Sequence, residues 1–407
     1  MKKVVVVGGG ASGLMAAYAA GKGGNAVILV ERNEKLGKKI YITGKGRCNL
    51  TNDCLPDEFL QSVVRGEKFL RGAIYAFPPQ NMMALLEEYG LALKTERGNR
   101  VFPASDHASD VTKTLERACR AVGVEIRLNE RVRAVLAKDG RVCAVKTERE
   151  EIPCDCTIVA TGGLSYPSTG STGDGYRFAK EAGHGIISCV PSLTGLNLSD
   201  NVSEAQGVTV KNVVLIAKRS EKVLSSRMGE LLFTHYGISG PLVLSLSAEI
   251  NRFPLHEISL FLDLKPALDR KKLDERILRD FTERRREQIK NVLRALLPAG
   301  LIPLVLRTAK IAPEKQPSEI TREERAQLVE ALKALPLTPA SLRGFEEAVV
   351  TSGGVDLKDI HPKTMESRKL SGLYFCGEVL DIDAYTGGFN LQIAFATGFS
   401  AGKSTLA

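Results

Sequence analysis

The chain has 407 residues, of which 43% are hydrophobic and 25% are charged, a balance typical of a globular protein with a buried core. This composition excludes a disordered, collagen-like or coiled-coil chain, and at roughly 150 residues per domain it predicts two or three domains. The eight cysteines are spaced irregularly, so neither a disulfide framework nor a metal site is expected. Glycines and polar residues interrupt the apolar stretches 4–21 and 384–402, and no signal peptide is visible, so we expect a cytoplasmic protein without a membrane segment.

The net charge of +9 is unevenly distributed. Six basic residues and one acid lie in 32–49, five basic residues and one acid in 211–227, and a further basic stretch in 270–290 includes Arg284, Arg285 and Arg286. Such runs are often solvated surface, but they also suit a polyanion such as RNA. The charge therefore suits a polyanionic partner, and a small-molecule substrate is the alternative.

The first motif lies at the start of the chain. The segment VVVVGGGASG, 4–13, is a short apolar strand that runs into Gly8-x-Gly10-x-x-Gly13, and a helix-forming stretch follows. Strand, glycine turn and helix in this order form the dinucleotide fingerprint, in which the helix N-terminus faces a pyrophosphate. We therefore expect residues 8–13 to bind a dinucleotide.

A second apolar strand, NAVILVE at 25–31, ends in Glu31. An acid at this distance from the glycines is placed to accept a hydrogen bond from a ribose hydroxyl. It favours an adenosine without a 2′-phosphate.

NAD and FAD share this turn, and three later features favour FAD. The strand CTIVATGG, 156–163, predicts a second backbone crossing beside the cofactor. Segments 124–128, 131–138 and 141–148 predict a small sheet with a hairpin turn at Asp139-Gly140, from which Val132 would offer a backbone group to the adenine. The segment 372–402 predicts a strand, an acidic loop with Glu378 and Asp381, and a small-residue helix aimed at the flavin.

Several segments together resemble one bacterial family. They are GKKIYITGKGRCNLTN (37–52), LLFTHYGISGP (231–241), TSGGVDL (351–357), TMESRKLSGLYFCGEVLD (364–381) and TGGFN (386–390). The chain is similar over about 3–403 to the HI0933-like family, the BaiN/RdsA-type NAD(P)/FAD-dependent oxidoreductases, and departs from it at Arg368, where the family usually has Lys. The resemblance implies one FAD in a glutathione-reductase-like Rossmann domain.

The fold class expected is therefore α/β, with a discontinuous Rossmann-like FAD-binding domain at 1–190 and 346–407. Between its two parts we expect an inserted substrate domain at 191–345, β-rich over 191–265 and helical over 266–345. Pro336 and Pro339 are expected to close the last helical stretch. The glycine-rich segment 170–175 lacks a βαβ unit of its own and is expected to be a helix start capped by Thr and Asp, so any NAD(P)H must bind transiently at the flavin.

Candidate site residues follow from these motifs. The catalytic candidates are Cys48, His235 and Tyr385; Cys48 is otherwise a small buried hydrophobe, and His235 is otherwise structural. Arg47 is expected to offset charge on a reduced flavin. The residues expected to contact FAD are Gly8, Gly10, Ala11, Ser12, Gly13, Glu31, Arg32, Lys39, Thr43, Gly44, Gly46, Arg47, Cys48, Asn49, Val132, Thr161, Gly162, Gly163, Gly377, Glu378, Asp381, Gly387, Gly388, Phe389, Asn390 and Leu391.

Three functions remain open at this point. The family resemblance favours an NAD(P)H-driven reductase of an electron-poor C=C bond, acting on a uridine of 23S ribosomal RNA or on a small steroid-like or bile-acid-like enone. A flavin oxidase or dehydrogenase of a small amine, alcohol or ketone is the second, and a non-enzymatic RNA- or protein-binding factor is the third. The positive charge favours the RNA substrate, whereas an aromatic content of 6% without Trp counts against it.

Overall fold

The computed structural model describes residues 1–406. Its helices are α1 (Ala11–Lys22), α2 (Lys38–Ile42), α3 (Pro56–Leu60), α4 (Glu67–Ala76), α5 (Pro79–Glu88), α6 (Ala108–Ala121), α7 (Asp174–Glu181), α8 (Pro241–Ile250), α9 (Arg270–Glu283), α10 (Ile289–Val292), α11 (Ile302–Ala309), α12 (Arg322–Lys333) and α13 (Phe389–Ser404). Its strands are β1 (Lys3–Val7), β2 (Ala26–Val30), β3 (Thr51–Asn52), β4 (Val63–Arg65), β5 (Leu93–Glu96), β6 (Arg100–Pro103), β7 (Glu125–Arg127), β8 (Val132–Lys138), β9 (Arg141–Thr147), β10 (Glu151–Pro153), β11 (Cys156–Val159), β12 (Ile186–Ser192), β13 (Leu196–Leu198), β14 (Thr209–Arg219), β15 (Lys222–Thr234), β16 (Gly237–Ser239), β17 (Ile258–Asp263), β18 (Leu335–Leu337), β19 (Pro339–Leu342), β20 (Val350–Val355), β21 (Leu373–Phe375) and β22 (Asp383–Ala384).

Two compact units divide the chain. The first combines 1–192 with 348–406, and the second is the continuous segment 193–347. Each unit has its own cluster of buried apolar residues. The expected domain roles, FAD binding for the first and substrate binding for the second, remain predictions.

The first unit is built on a parallel five-stranded sheet with the order β21-β11-β1-β2-β7. Strand β1 is buried from Val4 to Val7 because both faces of a parallel sheet are covered, as its unbroken run of valines indicates. Helix α1 packs along α13, where Gly398 and Gly402 lie so close to α1 that an added Cβ would overlap its backbone carbonyls. The Rossmann-type α/β architecture expected from the sequence is confirmed.

The small antiparallel sheet of this unit has the order β10-β9-β8. Asp139 and Gly140 form the hairpin turn between β8 and β9, both with positive φ, as the sequence predicts. The strand expected over 124–128 exists, but as β7 it extends the parallel sheet beside β2. The third strand of the small sheet is β10 instead.

The second unit holds an antiparallel seven-stranded sheet with the order β18-β17-β14-β15-β16-β13-β19. Its helices α9, α11 and α12 pack together, and α9 buries Leu273, Ile277 and Phe281. The assignment of 266–345 as helical is wrong at its end, because Leu335–Leu337 and Pro339–Leu342 are edge strands of this sheet. Prolines are tolerated there because an edge strand leaves some N–H groups unpaired.

No helix within residues 1–406 is both long enough and apolar enough to cross a bilayer.

Candidate cofactor and active site

The glycine turn between β1 and α1 lies at the carboxyl edge of the parallel sheet. The Gly8 amide donates to the Val30 carbonyl at 2.8 Å, which ties the turn to β2. A Cβ on Gly13 would overlap the Gly8 carbonyl oxygen, whereas a Cβ on Gly10 would meet nothing within 4 Å. Gly13 is therefore required by the fold, and the space above Gly10 is open to a ligand.

The start of α1 offers unpaired backbone donors to that space. No side chain caps the helix at Gly10, and its first turn contains no acidic residue. The amides of a first helical turn have no partner within the helix, and they carry the positive end of its dipole. An anion such as the pyrophosphate of FAD fits this position.

Glu31 follows β2 and is only 7% exposed. Its Oε2 accepts from the Gly9 amide at 2.6 Å, and its Oε1 accepts from Asn33 through the backbone amide at 2.8 Å and through Nδ2 at 2.6 Å. A carboxylate offers about four acceptor sites, so these three donors leave one for a ribose hydroxyl. The structure therefore permits the predicted ribose contact and adds a role for Glu31 in holding the glycine turn.

The Arg32 side chain binds residues at the start of α7 and just before it. Its Nη1 donates to Thr172 Oγ1 at 2.7 Å and lies 3.5 Å from the Asp174 carboxylate, which also pairs with Arg131. The predicted Thr or Asp cap of α7 is wrong, because the residue preceding α7 is Gly173 and no side chain caps the helix. Thr172 and Asp174 instead bind the arginines.

A charged network joins the segments that follow β2, β11 and β21. Lys39 Nζ lies 2.7 Å from Glu378 Oε2 and also donates to Ser165, whose hydroxyl donates to Glu378 Oε1 at 2.7 Å. The Thr351 amide donates to the same oxygen at 2.8 Å. Burial alone would raise the pKa of Glu378, but the Lys39 charge and these hydrogen bonds hold the pKa below its ordinary value.

This network occupies much of the acceptor capacity of Glu378. Asp381, the alternative acid, accepts from the Gly353 amide at 3.0 Å. The predicted contact of Glu378 or Asp381 with a cofactor hydroxyl stays a prediction.

The loop that contains Thr43, Gly44, Gly46 and Arg47 folds back on the first unit. Arg47 pairs with Glu96 and Asp106, and its guanidinium lies 4.3 Å from the centre of the Phe102 ring. These two carboxylates raise the pKa of Arg47 further. The role of Arg47 toward reduced flavin stays a prediction, since the structure gives its charge two protein partners.

Cys48 is fully buried in a left-handed backbone conformation, with φ of 60°. Burial raises the pKa of its thiol to about 12. A thiol in this environment is a poor proton donor at neutral pH, which favours the alternative of a small buried hydrophobe.

The segment before α13 closes on β3. Asn390 Nδ2 donates to the Ala384 carbonyl at 2.8 Å, and its Oδ1 accepts from the Ala384 amide at 3.0 Å. Asn52 Nδ2 donates to the Gly387 carbonyl at 3.1 Å, and the Asn49 amide, oriented to satisfy both of its groups, bonds to the Thr51 carbonyl and the Gly388 amide. The structure thus brings the loop around Asn49 together with the predicted Gly387–Leu391 segment.

Several other predicted site residues pack against neighbouring strands and helices of the first unit. Val132 is 4% exposed and pairs with Thr147 at the end of the small sheet. Thr161 has a buried hydroxyl without a protein partner among the described residues, and this hydroxyl lies against Gly175 of α7. Gly163 lies against Thr351 and Glu378, and Gly377 against Ser12 of α1. Gly377 therefore joins the segment after β21 to the start of α1.

The other two catalytic candidates lie in different units. Tyr385 is half-buried in the first unit, where its amide donates to the Ser62 carbonyl at 2.9 Å. His235 is exposed at the β15–β16 turn of the second unit, where its Nδ1 bonds to Gln206 Oε1 at 2.9 Å and its ring meets Tyr236 edge to face. Their catalytic roles stay predictions.

Sequence reasoning missed three residues of this site. Ser165 and Thr351 complete the Lys39–Glu378 network, and Asn33 binds Glu31. Thr351 opens the TSGG segment, so the motif was visible but not its hydrogen-bonding role. Among residues 1–406, no group of three or more His, Cys, Asp or Glu side chains could hold a metal ion.

Comparison with known proteins identifies the family of this chain. The family described as "HI0933-like protein Rossmann domain" matches residues 2–404. The chain belongs to the HI0933-like family. It is an FAD-dependent oxidoreductase of the BaiN/RdsA type.

Three named relatives match this chain along nearly their whole length. A 3-dehydro-bile acid delta(4,6)-reductase of Clostridium scindens is 34% identical, over 99% of both chains. The ribosomal RNA dihydrouridine synthase of Escherichia coli is 29% identical over 99% of this chain and 98% of its own, and that of Haemophilus influenzae is 31% identical over 98% and 97%.

Solved structures support the fold of this HI0933-like chain. The 3-ketosteroid-delta4-(5alpha)-dehydrogenase of Rhodococcus jostii RHA1 has a TM-score of 0.55 and 16% identity, over 100% of this chain and 97% of its own. The 3-ketosteroid delta1-dehydrogenase of Sterolibacterium denitrificans has a TM-score of 0.54 and 15% identity, over 98% of both chains. At this identity the likeness concerns the fold alone.

Proposed function

We propose that this protein uses NAD(P)H to reduce a C=C bond conjugated to a carbonyl group, and that its substrate is a uridine of 23S ribosomal RNA. The observation that carries the proposal is the end-to-end similarity to two ribosomal RNA dihydrouridine synthases. A bile acid reductase matches over the same length, and both names describe saturation of a C=C bond. The reaction type is therefore supported by every named relative above, and the RNA substrate by two of them.

The reaction needs one hydride and one proton. Bound FAD would supply the redox chemistry, through which a hydride would pass from NAD(P)H to the alkene carbon β to the carbonyl. In uridine this carbon is C6, and the proton adds to C5, so the C5=C6 bond becomes a single bond and NAD(P)H becomes NAD(P)+. The protein must orient the base and supply the proton.

The residues proposed to hold FAD are those around the glycine turn. The amides at the start of α1 bind the pyrophosphate, and Glu31 binds the ribose of the adenosine. The Lys39–Glu378 pair fixes the segment after β21 that faces the same edge of the sheet. Each of these groups acts by binding or orientation.

Two side chains are proposed as proton donors. Tyr385 lies beside the glycines that precede α13, and His235 is exposed with its Nδ1 bound to Gln206. Histidine and tyrosine side chains both serve as general acids in enzymes. Cys48 is the weakest of the three original candidates because of its burial.

The first test is the visible absorbance of the FAD-loaded protein in the absence of oxygen. We expect NADPH or NADH to bleach the flavin and an unmodified 23S ribosomal RNA transcript to restore its colour with formation of dihydrouridine. A flavin that stays oxidised with both nucleotides would contradict the nicotinamide donor and favour an oxidase or dehydrogenase.

The substrate is tested in cells. We expect a strain lacking this gene to lose dihydrouridine from its 23S ribosomal RNA, and the wild-type gene to restore it. Unchanged dihydrouridine content would exclude this substrate and leave the reaction type standing.

A small enone is the second candidate substrate. The 34% identity to the bile acid reductase favours it. Reoxidation of the bleached flavin by a steroid-like enone, but not by the RNA transcript, would establish this alternative.

A further inference from the structure

The segment 270–294 of the second unit carries a high density of charge. It includes α9, the turn that follows it and α10. The sequence alone predicts a solvated helix face of mixed charge, because acidic and basic residues are interspersed along this stretch. The structure shows which of these charges cancel.

Most acids of the segment have a basic partner. Asp274 bonds to Arg325 at 2.6 Å, Asp280 to Arg276 at 2.9 Å and Glu287 to Arg284 at 2.6 Å. Asp269 caps the start of α9 by accepting from the Lys272 amide at 2.8 Å. Only Glu275 and Glu283 remain exposed without an ion pair in the part of the chain that the structure describes.

The bases outnumber these two acids. Six of them make no ion pair within 4.0 Å among residues 1–406. They are Lys271, Arg279, Arg285, Arg286, Lys290 and Arg294. All are exposed except Lys290, which is half-buried. The segment therefore presents a surplus of positive charge to solvent.

Four of these exposed cations follow one another in sequence along α9 and the turn after it. Lys271 and Arg279 lie about 12 Å apart along α9, at a rise of about 1.5 Å per residue. Arg285 and Arg286 follow directly in the turn after the helix. We call Lys271, Arg279, Arg285 and Arg286 the basic surface.

A groove of about 550 Å³ runs along the same helix. Its lining includes the cations Lys272, Arg276 and Arg279 and one acid, Glu275. Leu278 contributes exposed apolar surface to it. The groove is open to solvent and leaves Arg279, a member of the basic surface, accessible to an anion.

We propose that the basic surface and its groove bind the phosphate backbone of RNA. The partner class rests on the proposed function, whereas the place on the molecule rests on the charge pairing described above. Arginine and lysine side chains without protein partners release condensed counterions when they neutralise phosphates, which gives affinity without sequence preference. The surface thus holds the RNA strand and leaves selection of the base to the active site.

The test uses the full-length, FAD-loaded protein and an unmodified 23S ribosomal RNA transcript, with affinity measured across a series of salt concentrations. The variant replaces Lys271, Arg279, Arg285 and Arg286 by Gln. Each phosphate contact to a single strand contributes about 0.7 to the slope of log affinity against log salt, so we expect the slope to fall by about 3.

Two control variants test whether the effect depends on positive charge and on its position in this segment. The variant Arg279→Lys/Arg285→Lys/Arg286→Lys keeps the charge and should keep the slope. A second variant replaces by Gln four exposed lysines of the first unit that make no ion pair within residues 1–406, and it should change the slope by less than 1; these are Lys68, Lys113, Lys138 and Lys180. Flavin content and the thermal unfolding temperature confirm that each variant is folded.

The outcomes separate this proposal from the proposed function. A wild-type slope retained by the Gln variant would overturn the basic surface, even if dihydrouridine forms. A reduced slope in a protein that forms no dihydrouridine would support the surface and contradict the substrate. A wild-type protein that does not bind the transcript at low salt would overturn the surface, while a small enone could still be reduced.

Discussion

Replacement of Glu31 by Ala tests the cofactor site most directly. The substitution removes a buried carboxylate that accepts from the Gly9 amide and from two groups of Asn33. It also removes the remaining acceptor site that we assign to a ribose hydroxyl. The variant therefore loses the proposed contact with FAD and the bond that positions the glycine turn.

The magnitude follows from the bonds lost. A hydrogen bond to a charged group contributes about 1.5–3 kcal/mol, so the ribose contact alone corresponds to roughly a 10-fold to 150-fold loss of affinity. The Gly9 amide is left without its acceptor at 2.6 Å, which adds a cost of about 1–3 kcal/mol. We expect the dissociation constant of FAD to rise by roughly 100-fold or more.

The assay measures FAD per polypeptide after purification and the dissociation constant from quenching of flavin fluorescence. Glu34→Ala is the matched control, because Glu34 is an exposed acid three residues away that pairs with Lys38 on the surface. A Glu31→Ala protein with a full complement of FAD and wild-type affinity would refute the ribose assignment.

Three further predictions concern the same unit and the proton donors. Gly10→Ala should leave the stability of the FAD-free protein unchanged and weaken FAD binding, whereas Gly13→Ala should lower the free energy of unfolding itself, as urea unfolding with and without FAD will show. Glu378→Gln should lower the free energy of unfolding by about 2 kcal/mol at pH 7. This difference should disappear as pH falls below the ordinary Glu pKa of 4.5, because the pKa of Glu378 in the folded protein lies lower still. Unfolding curves from about pH 3.5 to about pH 8 check this, and a difference that does not change with pH would contradict it. Tyr385→Phe or His235→Gln should slow flavin reoxidation by substrate roughly 100-fold or more without slowing reduction by NAD(P)H, and equal effects on both half-reactions would exclude a proton-donor role.

Local signals were sufficient for much of the fold. The valine run of β1, the glycine turn and the strand ending at Glu31 each depend on neighbours within about 30 residues, as a βαβ unit does. The turn at Asp139-Gly140 was also readable, because a two-residue hairpin needs residues that tolerate positive φ.

Pairing between distant strands was not readable from the sequence. Residues 124–128 show strand character, but the choice between the small sheet and the edge beside β2 depends on long-range contacts. The strands at 335–342 were assigned to a helical region because their prolines suggest termination rather than a sheet edge. In both cases tertiary pairing decided between local patterns that fit two structures.

The same limit applies to the site. The sequence identifies Lys39 and Glu378 separately, but it does not show that they pair across 339 positions. The pairing matters because it occupies acceptor sites of Glu378 that were expected to be available to a cofactor hydroxyl. Arg47 is similar, because Glu96 and Asp106 become its partners only in the folded unit. Motifs identify residue types for a site, whereas folding determines which of them remain available to a ligand.

Charge pairing also changes the argument for an RNA partner. The basic run at 32–49 has the highest net positive charge per residue of the three runs, yet the fold gives Arg32, Lys38, Lys39 and Arg47 carboxylate partners. The run at 211–227 loses charge in the same way, since Arg219 and Arg227 pair with glutamates. The segment 270–294 has more acids, but Asp274, Asp280 and Glu287 have basic partners, and six cations against two acids stay unpaired among the described residues. Because affinity for a polyanion depends on cations that are free to exchange counterions, 270–294 is the segment where charge supports RNA binding.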